Sequence, residues 1–250
     1  MDFNLDEKQE MLRRTAHDFL AEQCSKSLVR ELVKDPKGYS EELWQKIADL
    51  GWVGIALPEK YGGSGEDFLS LSILLEEMGR ACLPSPFFST VVLGGLTILE
   101  AGREDHKMTL LPRIANGELL MTLALTEPDT NYDDPASIST SFQPHGAGYI
   151  INGTKLFVPD AHIADLIICA ARSVGGQGAN GISLFLVDKA SKGMSIALLT
   201  TVSGDKQSEV SFHQVCVPSA NVLGELGEGW RYMERVLEMA TIAKCADMVG

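Results

Sequence analysis

The feature that most constrains this chain is a change of hydrophobic period near Gly117 and a change back near Gly227. Before Gly117 the apolar residues recur about every 3.6 positions, the spacing of one helix face, and after it they alternate as along a strand. Met11, Leu12, Ala16, Phe19 and Leu20 predict a first helix capped by Asn4 or Asp6. Ser40 caps a second, carried by Leu43, Trp44, Ile47 and Leu50 and ended by Gly51. Further helices are expected over about 67–82, 88–101 and 104–115. Strands are expected over 119–125, 166–172, 182–188, 195–199 and 209–215. The stretch 149–158 contains Asn152-Gly153, a tight-turn dipeptide, and predicts two strands around it. No helical segment separates the strands, so an antiparallel sheet is expected. Helical spacing returns with Trp230, Met233, Val236, Leu237, Ala240 and Ala243.

These readings give an α+β chain. An amino-terminal helical bundle (1–117) precedes an antiparallel β-sandwich or barrel (118–226), and 227–250 begin a further helical domain that is otherwise missing. The apolar face of that last helix is expected to be exposed and to favour association.

Composition narrows the function. Of 250 residues, 21 are Lys or Arg and 34 are Asp or Glu, and the net charge of -13 repels a phosphate backbone, so nucleic acid is not an expected partner. Five scattered cysteines without a CxxC pair suit a reducing cytoplasm, where the chain is expected to reside. The acidic amino terminus lacks the pattern of a secretory signal, and no apolar run approaches the roughly 20 residues that span a bilayer. Five histidines show no metal-ligand spacing, so no metal is expected and they read as surface or locally bonded residues. Gly176 to Gly181 match GxGxxG, but strands flank them on both sides and a hairpin loop is expected there instead of a phosphate site. Adjacent Glu76 and Glu77 point about 100° apart on a helix and read as a solvated face.

A more specific signal is a set of motifs in fixed order. They are Leu57-Pro58-Glu59-Lys60-Tyr61-Gly62-Gly63-Ser64-Gly65, then Ala124-Leu125-Thr126-Glu127-Pro128, then Asn152-Gly153-Thr154-Lys155, then Ala164-Asp165, then Val217-Pro218, Leu223-Gly224 and Gly227-Glu228-Gly229-Trp230. In this order the chain resembles the acyl-CoA dehydrogenase family over essentially its whole length. The resemblance implies FAD as cofactor and an acyl-CoA thioester as substrate. A carboxylate would remove a proton from Cα while hydride passes from Cβ to flavin N5, leaving a trans enoyl-CoA. It further implies an electron-transfer flavoprotein as electron acceptor, and assembly into homo- or hetero-oligomers. The alternative it leaves is a non-catalytic subunit that pairs with an active partner.

By the same resemblance, the strand ending in Thr-Glu-Pro would line the flavin ring through Leu123, Leu125 and Thr126, and Phe157, Val158 and Pro159 would face it after the hairpin lysine. The chain departs from the family at three places. Residues 129–135 are acidic where relatives have a Gly-Ala-Gly-Ser-Asp loop, and Pro159 replaces a hydroxyl residue and brings no amide hydrogen. Counting on from Gly227-Glu228-Gly229-Trp230 places Glu238 at a substrate-holding Asp, Ala240 at an alternative catalytic Glu and Thr241 at an Arg. Glu238 is then the one catalytic candidate in the chain.

Overall fold

The computed structural model describes residues 4–128 and 134–250, so most of the acidic 129–135 departure lies outside the described residues. Seven helices occur among the described residues: α1 (Glu7–Gln23), α2 (Lys26–Lys34), α3 (Glu41–Asp49), α4 (Phe68–Arg80), α5 (Leu96–Ala101), α6 (Glu104–Ala115) and α7 (Gly229–Val249). Asp6 caps α1 in a full capping box with Gln9, while Ser40 and Asp67 cap α3 and α4, so local chemistry sets these starts. The expected helix over 88–101 divides into a π-helical segment, Phe88–Gly95, and α5. Helix α2 is an addition to the sequence reading, and its signals are the Ser25 cap and the partly buried Leu28 and Val29 with buried Leu32.

Eight strands form one sheet: β1 (Met121–Ala124), β2 (Ser141–His145), β3 (Gly148–Pro159), β4 (Leu166–Ser173), β5 (Ile182–Asp188), β6 (Met194–Leu199), β7 (Gln207–Pro218) and β8 (Val222–Leu223). Their order is β6-β7-β3-β2-β4-β5-β8, with β1 on β4. The sheet is mixed, which corrects the antiparallel expectation: β1 runs parallel to β4 along four residue pairs, and β2 touches β4 in parallel. The expectation assumed that strands pair with their sequence neighbours. Here the β2–β3 ribbon itself forms the crossover, so a parallel pair arises without an intervening helix.

Asn152-Gly153 is not a hairpin turn. Strand β3 runs through it, and the turn lies at Gly146-Ala147, where His145 pairs with Gly148. Gly153 sits at a register shift against β7 with φ of 151°, and a Cβ there would meet Thr140 Oγ1 at 2.4 Å. Asn152 Oδ1 accepts the Gln214 N–H at 2.9 Å. The dipeptide serves a β-bulge, whose backbone demand for glycine resembles that of a turn.

Alternation along the strands fills two cores. Ile168 and Ala170 of β4, with Leu184 and Leu186 of β5, join the helical residues, while Ile167, Cys169, Ala171, Phe185 and Val187 meet Phe142, Val210 and Phe212 on the other face. The sheet is therefore buried on both sides and shares one core with the helices. Helix α7 belongs to that core too: Met233, Val236, Ala240 and Ala243 are buried and Trp230 and Leu237 pack against it, which corrects the expectation of an exposed face. Packing of α1 on α4 also buries Glu77, where Arg80 and His17 meet its carboxylate at 3.0 and 3.1 Å, so the solvated reading fails for Glu77. Among the described residues no helix is long and apolar enough to cross a membrane.

One buried ion pair fixes β1 to β3. Lys155 Nζ, fully buried, lies 2.6 Å from Glu127 Oε1 and donates to Leu125 O at 3.1 Å. The other carboxylate oxygen accepts from Ser139 N at 2.8 Å and Thr140 N at 3.1 Å. Burial raises the Glu127 carboxyl, but Lys155, Ser139 and Thr140 outweigh it and hold the group below the usual carboxylate range. Its stabilisation is therefore present above the unfolded carboxyl pKa and is lost as pH falls through the folded value.

Two outcomes follow from this packing. Lys155→Met leaves a buried charge and is expected to cost about 3–5 kcal/mol in urea unfolding at neutral pH, with much of the loss recovered when Glu127→Gln is added and less loss in acid. Gly79→Ala would bring a Cβ to 1.9 Å from Asp247 O, so hydrogen exchange is expected to quicken at the end of α7, at a cost of about 1–3 kcal/mol.

Candidate functional site

The site is built where β1 leaves the sheet beside the end of β3. Thr90, in the π-helical segment, uses one hydroxyl to accept from Met121 N at 3.2 Å and to donate to Met121 O at 3.3 Å, so β1 is registered on the helical layer. Past β1 the chain is held by the Lys155–Leu125 bond and by Leu156 N–H donating to Thr126 O at 2.8 Å. Thr126 is half-buried, and its hydroxyl makes no hydrogen bond among the described residues. This leaves a donor and acceptor free at the edge of the sheet.

Strand β3 then bulges. Between Lys155 and Val158 its pairing with β7 shifts register, and Phe157 takes a left-handed conformation with φ of 52°. Such a backbone costs an aromatic residue on the order of 1–3 kcal/mol and persists only where its surroundings impose it. Its effect is to turn the ring out of the sheet: Phe157 is 49% exposed, whereas Val158 beside it is buried in the second core. Bulges beside functional sites re-aim side chains in this way.

The ring of Phe157 opens onto a cleft of about 510 Å³ between the sheet, the helical layer and α7. Leu75, Met78 and Phe87 give it an apolar side, and Ser89, Asp160 and Asp205 a polar one. Its two lysines are engaged within its own wall: Lys206 Nζ donates to Val33 O at 2.9 Å and Lys244 Nζ to Asp247 at 2.6 Å. A cleft of this size with an apolar wall and few polar groups suits an organic ligand.

The sequence candidates divide by position. Leu123, Leu125 and Thr126 run alongside Phe157, Val158 and Pro159, since Thr122 Oγ1 donates to Pro159 O at 2.6 Å and Leu156 bonds Thr126. Of these six, Phe157 and Pro159 line the cleft, while the Leu123 and Val158 side chains are buried in the two cores and offer a ligand only their main chain. Glu238 is exposed on α7 and is not among the residues lining the cleft. Sequence reasoning missed Lys155–Glu127 and Asp160. Lys155 and Glu127 stood inside quoted motifs, but nothing local showed that they meet.

Comparison with known proteins agrees with this architecture. The family description "Acyl-CoA dehydrogenase, N-terminal domain" matches residues 6–118, and "Acyl-CoA dehydrogenase, middle domain" matches 122–215. A short-chain specific acyl-CoA dehydrogenase of Clostridium acetobutylicum is 31% identical over 100% of this chain and 66% of its own length. A subunit of the caffeyl-CoA reductase-Etf complex of Acetobacterium woodii is 30% identical over 98% of this chain and 65% of its own. The crystal structure of a glutaryl-CoA dehydrogenase from Mycobacterium smegmatis in complex with FADH2 superposes with a TM-score of 0.86 at 25% identity, covering 97% of this chain and 62% of that one. The chain thus spans just under two thirds of the length of such relatives. With both domain descriptions matched in order along most of its length, the chain belongs to the acyl-CoA dehydrogenase family.

Proposed function

We propose that this protein binds FAD at the junction of β1 and β3 and takes part in α,β-dehydrogenation of an acyl-CoA thioester held in the cleft. The observation that carries the reading is Phe157: a strained, half-exposed aromatic ring turned onto a 510 Å³ cleft, next to a Thr126 hydroxyl left without a partner among the described residues. These residues fit a flat, partly polar ring, because Phe157 supplies a stacking face and Thr126 with its neighbouring main chain supplies hydrogen bonds at an edge. When bound, FAD supplies the hydride acceptor for the bond between Cα and Cβ.

The chain's own residues orient and shield. The Lys155–Glu127 pair immobilises Leu125 to Glu127, so their polar groups need little rearrangement on binding. Leu75, Met78 and Phe87 line the apolar side of the cleft, where they exclude water from an acyl chain. Pro159 offers no N–H, so polar contacts on that side come from its carbonyl neighbours and from Asp160. The caffeyl-CoA reductase-Etf relative supports an electron-transfer flavoprotein as partner. The domain limits 1–117, 118–226 and 227–250 remain our proposed division, and the shared core implies that the first two fold together.

A second reading, a non-catalytic subunit paired with an active chain, draws on Glu238 standing exposed outside the cleft and on Thr241 at the place of an arginine. Native mass spectrometry of the gently purified protein separates the two: an FAD adduct supports the first, and a folded complex with a second polypeptide and no flavin supports the other. Phe157→Ala is expected to weaken FAD binding by about 0.5–1.5 kcal/mol in a fluorescence-quenching titration without lowering thermal stability. The isolated 250 residues are expected to bind FAD without acyl-CoA-dependent dye reduction, because Glu238 does not reach the cleft; robust dye reduction would overturn this.

A further inference from the structure

The corner Phe157 to Asp160 is held from three directions. Thr122 donates to Pro159 O, the Asp160 N–H donates to Lys206 O at 2.9 Å, and Ser89 Oγ lies 2.6 Å from Asp160 Oδ2. The first two contacts stay within the β region. The third ties the corner to the helical layer, because the buried Ser89 belongs to the π-helical segment. Asp160 itself has a left-handed φ of 53°, so two residues of this short corner are strained.

Ser89 has one hydroxyl hydrogen and two acceptors in range, Asp160 Oδ2 at 2.6 Å and Pro86 O at 3.1 Å. An ionised Asp160 takes that hydrogen for itself. A protonated Asp160 donates its own hydrogen to Ser89 Oγ and releases the serine hydrogen to Pro86, so a relay of two bonds replaces one. The neighbouring Asp205 charge favours this relay. Asp205 faces Asp160 from the loop before β7, Tyr39 lies near it from the segment before α3, and Cys82, Lys244 and Asp247 line the same cleft from the end of α4 and from α7. Among the described residues no cation pairs with Asp160, since Lys206 and Lys244 are bonded to Val33 and Asp247.

We propose that Asp160 is a positioning residue, a latch whose hydrogen bond to Ser89 fixes the corner that presents Phe157 to the cleft. Burial pushes the Asp160 carboxyl up, the Ser89 bond opposes this and Asp205 adds to it, leaving the group at about 6. A raised carboxyl value means that ionisation opposes the fold. The cost is absent below the unfolded value near 3.9, grows from there to about 6 and is complete above it. Because an ionised carboxylate gains from hydration, ionisation works against the buried corner that presents Phe157, and this opposition is complete above about pH 6. That this tunes a cofactor site rests on the FAD reading; the latch itself does not.

The test uses the full chain labelled with 4-fluorophenylalanine, its Phe157 resonance identified by loss in Phe157→Leu. In the unaltered protein that resonance is expected to move with a midpoint near pH 6. In Asp160→Asn, whose amide oxygen accepts from Ser89 at every pH, it should stay constant. In Ser89→Ala the Asp160 carboxyl should still titrate by carbon-13 NMR while the Phe157 resonance no longer follows it. A Phe157 resonance that ignores pH in the unaltered protein, or that titrates equally in Asp160→Asn or Ser89→Ala, overturns the latch. FAD titration of the same samples should show severalfold weaker binding above the transition and a flat profile in Asp160→Asn. Failure to bind FAD at any pH removes the FAD reading, and the fluorine spectra still decide the latch.

Discussion

The architecture of the site depends on one buried ion pair. Glu127 follows β1 and Lys155 lies in β3, with β2 between them along the chain, and their contact brings the segment after β1 against the bulge in β3. A fully buried lysine is tolerable when its charge is answered close by, and here Glu127 answers the charge while Leu125 O takes a second N–H. Because Ser139 and Thr140 N–H groups complete the carboxylate's shell, the segment after 134 is drawn to the same point. Three stretches of chain, 125–127, 139–140 and β3 at Lys155, converge on one charge pair, and their main-chain groups become a preorganised edge.

The second dependency is the shared core. Helices and sheet interlock through Ile168, Ala170, Leu184 and Leu186, and α7 closes over the helical layer through Met233 and Val236. The cleft exists because these layers diverge at one corner. There Phe157 turns outward, and the Ser89–Asp160 bond spans the gap from helix to strand end. Strain in the corner is sustained by the rigidity of what surrounds it, and that rigidity comes from close packing on both faces of the sheet.

Much of this was legible in the sequence. Helix starts at Asp6, Ser40 and Asp67 follow from capping chemistry, which needs only a few neighbouring residues, and strand β5 follows from its apolar run. The family itself was legible from short motifs in order. Other features were not. Asn152-Gly153 signals a backbone that needs glycine, and a turn and a bulge share that need, so the choice waits on whether Thr140 and β7 are adjacent. Glu77 reads as a surface acid until α1 brings His17 and Arg13 to it.

What the sequence determined by itself was most of the periodic pattern, α2, β2 and the unbroken run of β3 excepted, together with the caps that begin several helices and the family to which the chain belongs. These are local properties, set by neighbours within a few residues. The tertiary structure alone decided the parallel pairing of β1 with β4, the burial of Lys155 with Glu127, the outward turn of Phe157 and the meeting of Ser89 with Asp160. Each joins residues distant in the chain, and their encounter depends on how whole layers pack, which no local spacing records.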